Sequence, residues 1–514
     1  MVKCLAAVML LITCLVKAQD LNQGAAINQI RIIGVTVFEP SELMQLTEGI
    51  AGSTVYVEDL IDLTAAITAL YVDAGYITSG AYLPEQEVNN EILTINVTEG
   101  ELQEIRLGST GNYSEDYLRE RVRRQIQSPF NIAQLQAALT ELDEDVRIES
   151  VTGEIIPGSQ RGDAILELNI VETDPLQVML ATNNYLSPSI GSEQLQISAN
   201  HLNLTGRADE LSVSLARSDG FEAGSISYLV PLSVQDSSVR FYYSAGDTVV
   251  VEEPFDRIDI RSDTDTAGFT LTNRFSLGSG LMLDAFAGLE KKHSEASLLG
   301  EGFDFSPGSQ RGLARASIAY AGVRFSHRGR EQAWSTGATW RHGLDIWDAT
   351  TLPGLPDGEF DILVVQGEYL QRVADLGTLS LRINSQFSTD TLQSFERLTL
   401  GGHNSVRGYR QNRVLKDNGW ELLLDFEIPV FRNYPDIGVQ FSVIPNLGHG
   451  RVWDSEQAPN IDRDATLSSA GISLQARAER WTARLDWAQR LSSKNKLGDE
   501  LQDDGIYLGV SYGF

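Results

Sequence analysis

Cysteine is nearly absent. Cys4 and Cys14 are the two in 514 residues, and both fall inside the opening stretch MVKCLAAVMLLITCLVKA. That stretch carries a lysine, an apolar run from Cys4 to Val16 and the small-residue site Val16-Lys17-Ala18, the pattern of a secretory leader over residues 1–18. An exported chain without disulfides is held by its fold alone. Basic residues are scarce as well: 40 Lys and Arg stand against 70 Asp and Glu, a net charge of -30. Phosphate binding needs cations in excess on some face, so this balance works against a nucleic-acid partner. No run of about 18 apolar residues follows the leader, so a membrane could be crossed only by a closed barrel.

Catalytic patterns are missing too. There is no G-x-S-x-G and no G-x-x-x-x-G-K-[ST]. The six histidines, His201, His293, His327, His342, His403 and His449, lie far apart with no metal-ligand spacing. The expectation is a protein that is not an enzyme and has neither cofactor nor metal.

What is present begins with a repeat. After a short segment at 19–27, residues 28–99 and 100–174 each switch from a period of two to a period near 3.6 and back. The first copy opens with IRIIGVTVF, continues with two helical stretches in which Leu60, Leu63, Ile67 and Leu70 share a face, and closes with the strands YITSGAYLP and EILTINVTEG. The second has LQEIRLG, a helix from about Ser114, and a helix starting at the N-cap candidate Asn131 with the stripe Ile132, Leu135, Leu139 and Leu142. RIESVTGEII and AILELNIVE follow. The order in both is strand, helix, helix, strand, strand, which gives two small α+β modules. From Gln19 to Asp174 there are 27 acidic and 8 basic residues, a solubilising excess that also disfavours acidic clients.

From residue 175 to 514 short alternating segments recur: LQISANHL, ELSVSLAR, GSISYLVPL, VRFYYSAG, TLSLRINSQF, ELLLDFEIPVF and IYLGVSYGF. In ELLLDFEIPVF, Leu422, Leu424, Phe426, Ile428 and Val430 fall on one face, and Leu423, Asp425, Glu427 and Pro429 on the other. Apolar outside and mostly polar inside is what a membrane barrel requires, and at roughly 20 residues per strand and connection the region holds about 16 antiparallel strands. The fold class expected is an all-β transmembrane barrel preceded by two α+β domains. In the last strand Ile506, Leu508, Val510, Tyr512 and Phe514 share a face and the sequence ends on the phenylalanine. This is a membrane-facing closing strand that could also serve as an address for barrel-assembly machinery.

Between two such strands lies LGGHNSVRGYR, Leu400 to Arg410, a cation among glycines with no nucleophile or ligand set beside it. Read with Tyr71, AGYITSGAYLPEQEV, INVTEGEL, PFNIAQLQAALTELDED, IIPGSQRGDAILELNIVETDP, YLVPL and Phe514, the whole mature chain resembles the two-partner secretion transporters, the haemolysin secretion/activation proteins of Gram-negative outer membranes.

The resemblance implies two periplasmic polypeptide-transport-associated (POTRA) domains, a 16-stranded barrel and export of a large exoprotein recognised through its N-terminal secretion domain, with outer-membrane lipid around the barrel. Assembly or insertion of other outer-membrane proteins is the alternative, and relatives with that role carry more POTRA modules. It further implies that the loop with Gly401, Gly402, Ser405, Val406, Arg407, Gly408 and Tyr409 folds into the lumen. The family's aspartate acceptor for the arginine sits in a P-F-x-D-x-G strand motif. Here that stretch is PNLGHG, with Asn446 in the aromatic's place and Gly448 in the aspartate's. Asp425 and Glu427 are therefore the candidate acceptors for Arg407. Some relatives place a plug helix at the N-terminus, for which the segment at 19–27 is too short.

Overall fold

The computed structural model describes residues 24–86, 91–108, 111–232, 237–278, 280–352, 354–431, 438–455, 464–492 and 497–514. The leader, both cysteines and most of the segment where a plug helix was considered lie outside them. The chain divides into two compact units, Met1–Pro175 with Thr205–Arg207, and Leu176–Leu204 with Ala208–Phe514.

The first unit contains two modules of like topology. In one, strand Gln29–Ile33 runs parallel to Ile92–Thr98, which pairs antiparallel with Gly80–Tyr82. Helices Pro40–Thr47 and Val57–Asp73 cover the sheet. Leu60, Leu63, Ile67 and Tyr71 are the buried residues of the longer helix, spaced to keep one stripe on the core, where they meet Leu93, Ile95 and Val97. Tyr71 thus holds the place expected for Leu70, which packs partly buried at the cluster's edge.

The run IRIIGVTVF is strand only to Ile33. Gly34 turns at φ 88, where a Cβ would stand 2.3 Å from Val97 O. Beyond it the Glu99 carboxylate accepts the N–H groups of Thr36 at 2.7 Å and Val37 at 3.0 Å, so the backbone leaves the ladder. Glu99 also accepts from the Tyr71 hydroxyl at 2.6 Å. Burial pushes its carboxyl up, and the hydrogen bonds from Thr36, Tyr71 and Val37 outweigh this and hold it below the usual range.

In the other module, Leu102–Leu107 runs parallel to Ala164–Glu172, which pairs antiparallel with Ile148–Pro157. Helix Ile132–Asp143 starts where Asn131 accepts the N–H of Ala133 at 2.9 Å, satisfying an otherwise orphaned donor. Asp145 ties this module together. It accepts from Arg121 Nη1 at 2.6 Å, Arg147 Nη1 at 3.1 Å and the Tyr113 hydroxyl at 3.2 Å.

The second unit is a closed antiparallel barrel of sixteen spanning strands among the described residues, from Leu176–Asn183 to Ile506–Gly513. Each alternating segment singled out in the sequence lies on one of these strands. Side-chain period two sorts each strand into an apolar outer and a mixed inner face. Leu215, Ile226, Phe241, Leu271, Leu422, Val430, Leu508 and Val510 are exposed outward, as befits a surface in contact with lipid. Connections at one end are mostly short, such as 329–331 and 374–376, and those at the other end include 299–312, 345–360 and 388–417.

Candidate functional site: an anchored loop in the barrel lumen

The connection 388–417 does not stay outside. After a short helical turn, Ser394–Glu396, it forms a two-stranded ribbon, Leu398–Leu400 with Val414–Lys416, whose tip enters the barrel. Gly401 and Gly402 take φ of 103 and 124, conformations closed to most side chains, and so reverse the chain tightly enough to fit. Inside the turn, Gly401 N donates to Ser405 Oγ at 3.1 Å and Ser405 N to Gly402 O at 3.2 Å. The Ser405 hydroxyl in turn donates to Glu421 on the wall. Gly408, at φ 93, lies against strand Trp481–Arg490: a Cβ there would sit 2.8 Å from Ala488 O.

Apolar contact seats the tip. Leu400, Val406 and Tyr409 of the loop are buried with Leu423, Val452 and Leu467 of three consecutive wall strands. Tyr409 reaches past them and donates to the carbonyls of Ser468, at 2.9 Å, and Ser492.

Arg407 is 5% exposed and fully engaged. Its Nη1 and Nη2 donate to Asp425 Oδ1 and Oδ2 at 2.6 and 2.9 Å, a bidentate fork, and its Nε donates to His403 O at 3.2 Å. A second carboxylate stands behind: Asp486 Oδ1 is 3.7 Å from the same Nε. Asp486 is wholly buried, accepts from Arg484 Nε at 2.9 Å and from the Ser473 hydroxyl, and lies 3.4 Å from His403 Nδ1. The His403 ring stacks on Tyr185 with centroids 3.6 Å apart. A buried guanidinium is tolerable only when its donors are met in this way.

Of the two candidate acceptors, Asp425 is therefore the one in contact. Glu427 is not: it accepts from Ser442 Oγ at 2.8 Å. Both carboxylates face the lumen, but two residues along a strand separate them by about 6.6 Å, and the loop descends only to the level of Asp425. At the position where the resemblance implies an aspartate, this chain has Gly448. Gly448 faces the loop, and a Cβ on it would lie 3.3 Å from the Cα of Val406. Asp425, paired in register with Asn446 on the adjacent strand, supplies the anion from one strand away.

Sequence reading missed Asp486, Arg484, His403 and the second loop arginine, Arg410. Arg410 sits three residues after Arg407 in the same motif, which was the available signal. Nothing near Asp486 in the chain marks it, because it joins the loop only through tertiary folding, from a strand three places along the sheet from that of Asp425. Leu508, Val510 and Tyr512 alternate outward along the last strand, and Phe514, just past its end, is 70% exposed.

A closed sixteen-strand barrel with a loop pinned in its lumen, together with strand-helix-helix-strand-strand modules, is the architecture of an outer-membrane barrel protein with POTRA-type modules. Residues 162–478 match the family described as haemolysin secretion/activation protein ShlB/FhaC/HecB, and residues 25–100 match the POTRA domain, ShlB-type. The chain belongs to that haemolysin secretion/activation family, whose members are two-partner secretion transporters of the outer membrane with POTRA domains in the periplasm.

The outer membrane transporter CdiB of Dickeya dadantii (strain 3937) is 24% identical over 485 residues, 91% of this chain and 83% of its own. The hemolysin transporter protein ShlB of Serratia marcescens is 24% identical over 469 residues, 86% of this chain and 77% of its own. Among solved structures, CdiB from Escherichia coli superposes with a TM-score of 0.68 at 21% identity, over 98% of this chain and 93% of that one. BamA from Haemophilus ducreyi lacking POTRA domains 1-3 gives 0.56 at 16%, over 95% and 100%. At these identities the structural likeness is one of fold.

Proposed function

We propose that this chain exports a large exoprotein, binding it unfolded through periplasmic domains at 28–99 and 100–174 and passing it through the barrel at 175–514 without nucleotide hydrolysis. The observation that carries the reading is the loop tip pinned in the lumen by Arg407 and Asp425. A loop placed there obstructs the pore at rest, and its ion pair and apolar seat can be remade after each passage. The edges of the small sheets in the periplasmic modules suit an extended client, since strand addition uses main-chain hydrogen bonds that tolerate many sequences. With no nucleotide motif in the chain, folding of the exoprotein outside the cell supplies the driving force. The outward face of Leu508, Val510, Tyr512 and Phe514 suits lipid contact and recognition by barrel-assembly machinery.

The test is deletion of the gene with measurement of exoproteins in the medium. Loss of one large exoprotein, restored by the wild-type gene, is the expected result. Unchanged secretion of every exoprotein, with depletion of other outer-membrane barrels, would instead support the alternative role as an assembly factor.

A further inference from the structure

The loop's second arginine is held as firmly as the first, at a different place. Arg410 sets Nε and Nη2 on the two carboxylate oxygens of Asp503, at 2.8 and 2.7 Å, and Nη1 on Glu252 Oε1 at 2.7 Å. Its side chain is 10% exposed and that of Asp503 1%. Beside Asp503 stands Gln502, wholly buried. Gln502 Oε1 accepts the N–H of Gln411, next in the loop, at 2.9 Å. Its Nε2 donates to the carbonyls of Asn184 and Leu186, both at 2.6 Å.

Asn184 follows directly on the first barrel strand and completes the seam between that strand and the last. Its N–H donates to Leu508 O at 3.1 Å, its Oδ1 accepts from Leu508 N at 2.7 Å, and its Nδ2 donates to Ile506 O at 3.2 Å. From the last strand, Tyr507 donates its hydroxyl to the carbonyl of Tyr409 in the loop.

The seam needs such support because its ladder is short. The first and last strands share five register pairs, from Asn183 with Gly509 to Met179 with Gly513, against fifteen between Leu281–Leu298 and Leu313–Arg328. At its outer end the regular ladder gives way to the side chain of Asn184, and the group that fixes the neighbouring backbone, Gln502, is also the group that holds the loop.

We propose that Arg410, Gln502 and Asp503 are positioning residues that couple the lumen loop to the seam between the first and last strands. With the loop inward, Gln411 and Arg410 fix Gln502 and Asp503, and the outer end of the seam is zipped. When the loop leaves, Gln502 loses the contact that orients its amide and the seam's outer end loosens. Coupling is reciprocal, so a seam that cannot open holds the loop in. The inference builds on the proposed need for the loop to move during export, but its test reads loop and seam directly, so it fails or stands apart from that reading.

The mature chain has no cysteine, so a disulfide can be set across the seam with Ala181→Cys and Ser511→Cys, which are directly opposed. Loop exposure is read as cleavage by external trypsin within residues 407–413 of the full-length protein in liposomes. With Gln502 present, closing the disulfide is expected to slow cleavage by about fivefold or more, and reduction to restore it. In Gln502→Ala, cleavage without the disulfide rises and the disulfide no longer changes it. Gln502→Met, which keeps the volume and loses the amide, is read in the same way where the alanine variant does not insert. The proposal is overturned if locking the seam leaves cleavage unchanged with Gln502 present, or slows it equally without the amide. The first arm tests the coupling of seam and loop with the loop and Gln502 unaltered, and the second tests whether Gln502 carries it.

Discussion

In the first POTRA module Ile67, Tyr71, Leu93 and Ile95 are closed off from solvent, and the exposed surface is acidic; in the barrel Leu422, Val430, Leu508 and Val510 face outward, Arg407 and Asp486 are buried, and Asp425 is half-buried. The same chain thus places its apolar side chains inward in one unit and outward in the other. The difference follows from the solvent each unit meets. Water drives the module's aliphatic groups together, at about 25 cal/mol per Å² of apolar surface buried. Lipid offers no such drive to the barrel, whose strands are held by a closed ladder of main-chain hydrogen bonds. The interior is then free to carry charge, and the lumen loop is held by ion pairs around a small apolar seat. Damage of one kind should therefore have different effects in the two units.

The largest effect is expected from Asp425→Ala. Removing one member of a buried bidentate pair strands the other charge, a loss on the order of 3–5 kcal/mol. The loop is released, and exoprotein in the medium falls by about tenfold or more. The barrel ladder is untouched, so the unboiled protein still migrates as a folded barrel on a gel. Collapse of that band would place Asp425 in barrel stability instead.

Ile67→Ala should act the opposite way. Truncating a fully buried aliphatic group costs about 2–5 kcal/mol. A calorimetric scan should show the module's transition lowered and the barrel's heat resistance unchanged.

The smallest effect is one of pH, in the second module. Burial pushes the Asp145 carboxyl up, but the hydrogen bond and charge of Arg121, with Arg147, outweigh it and hold it below the usual carboxylate range. Its stabilising contribution is therefore full above the unfolded pKa, near about 4, and is lost as pH falls through the lower folded value. Acid titration followed by circular dichroism should show a loss of module stability below that point. Asp145→Asn should remove this step and be less stable at neutral pH by about 1–3 kcal/mol. A variant with an unchanged acid profile would show that the carboxylate's charge does not matter there.

The parts legible in the sequence share a physical feature: a local period or a local cap. Leu422 to Val430 alternate because a strand's side chains must, so the inward place of Asp425 followed from the apolar places of its neighbours. Asn131 announced a helix start because its side chain serves an N–H two residues on. Where a distant group intervened, the reading slipped. IRIIGVTVF ends as a strand at Ile33 because Glu99, just past the end of the neighbouring strand, takes the next amides. Leu70 gives way to Tyr71 because the Tyr71 hydroxyl finds Glu99. Asp425 and Glu427 were equivalent candidates on one strand face, and only the depth to which the loop descends separates them.

The sequence alone determined the inside-out patterning of the barrel, the two repeated modules and a glycine-bounded cation, since each is written in neighbours a few residues apart. Tertiary structure decided what that cation touches. The pairing of successive strands and the inward turn of the loop bring Asp486 beside Arg407, and Gln502 and Asp503 beside Gln411 and Arg410, across separations of about eighty and about ninety residues. No local pattern encodes such contacts, because they exist only once successive strands have paired and the loop has turned into the lumen.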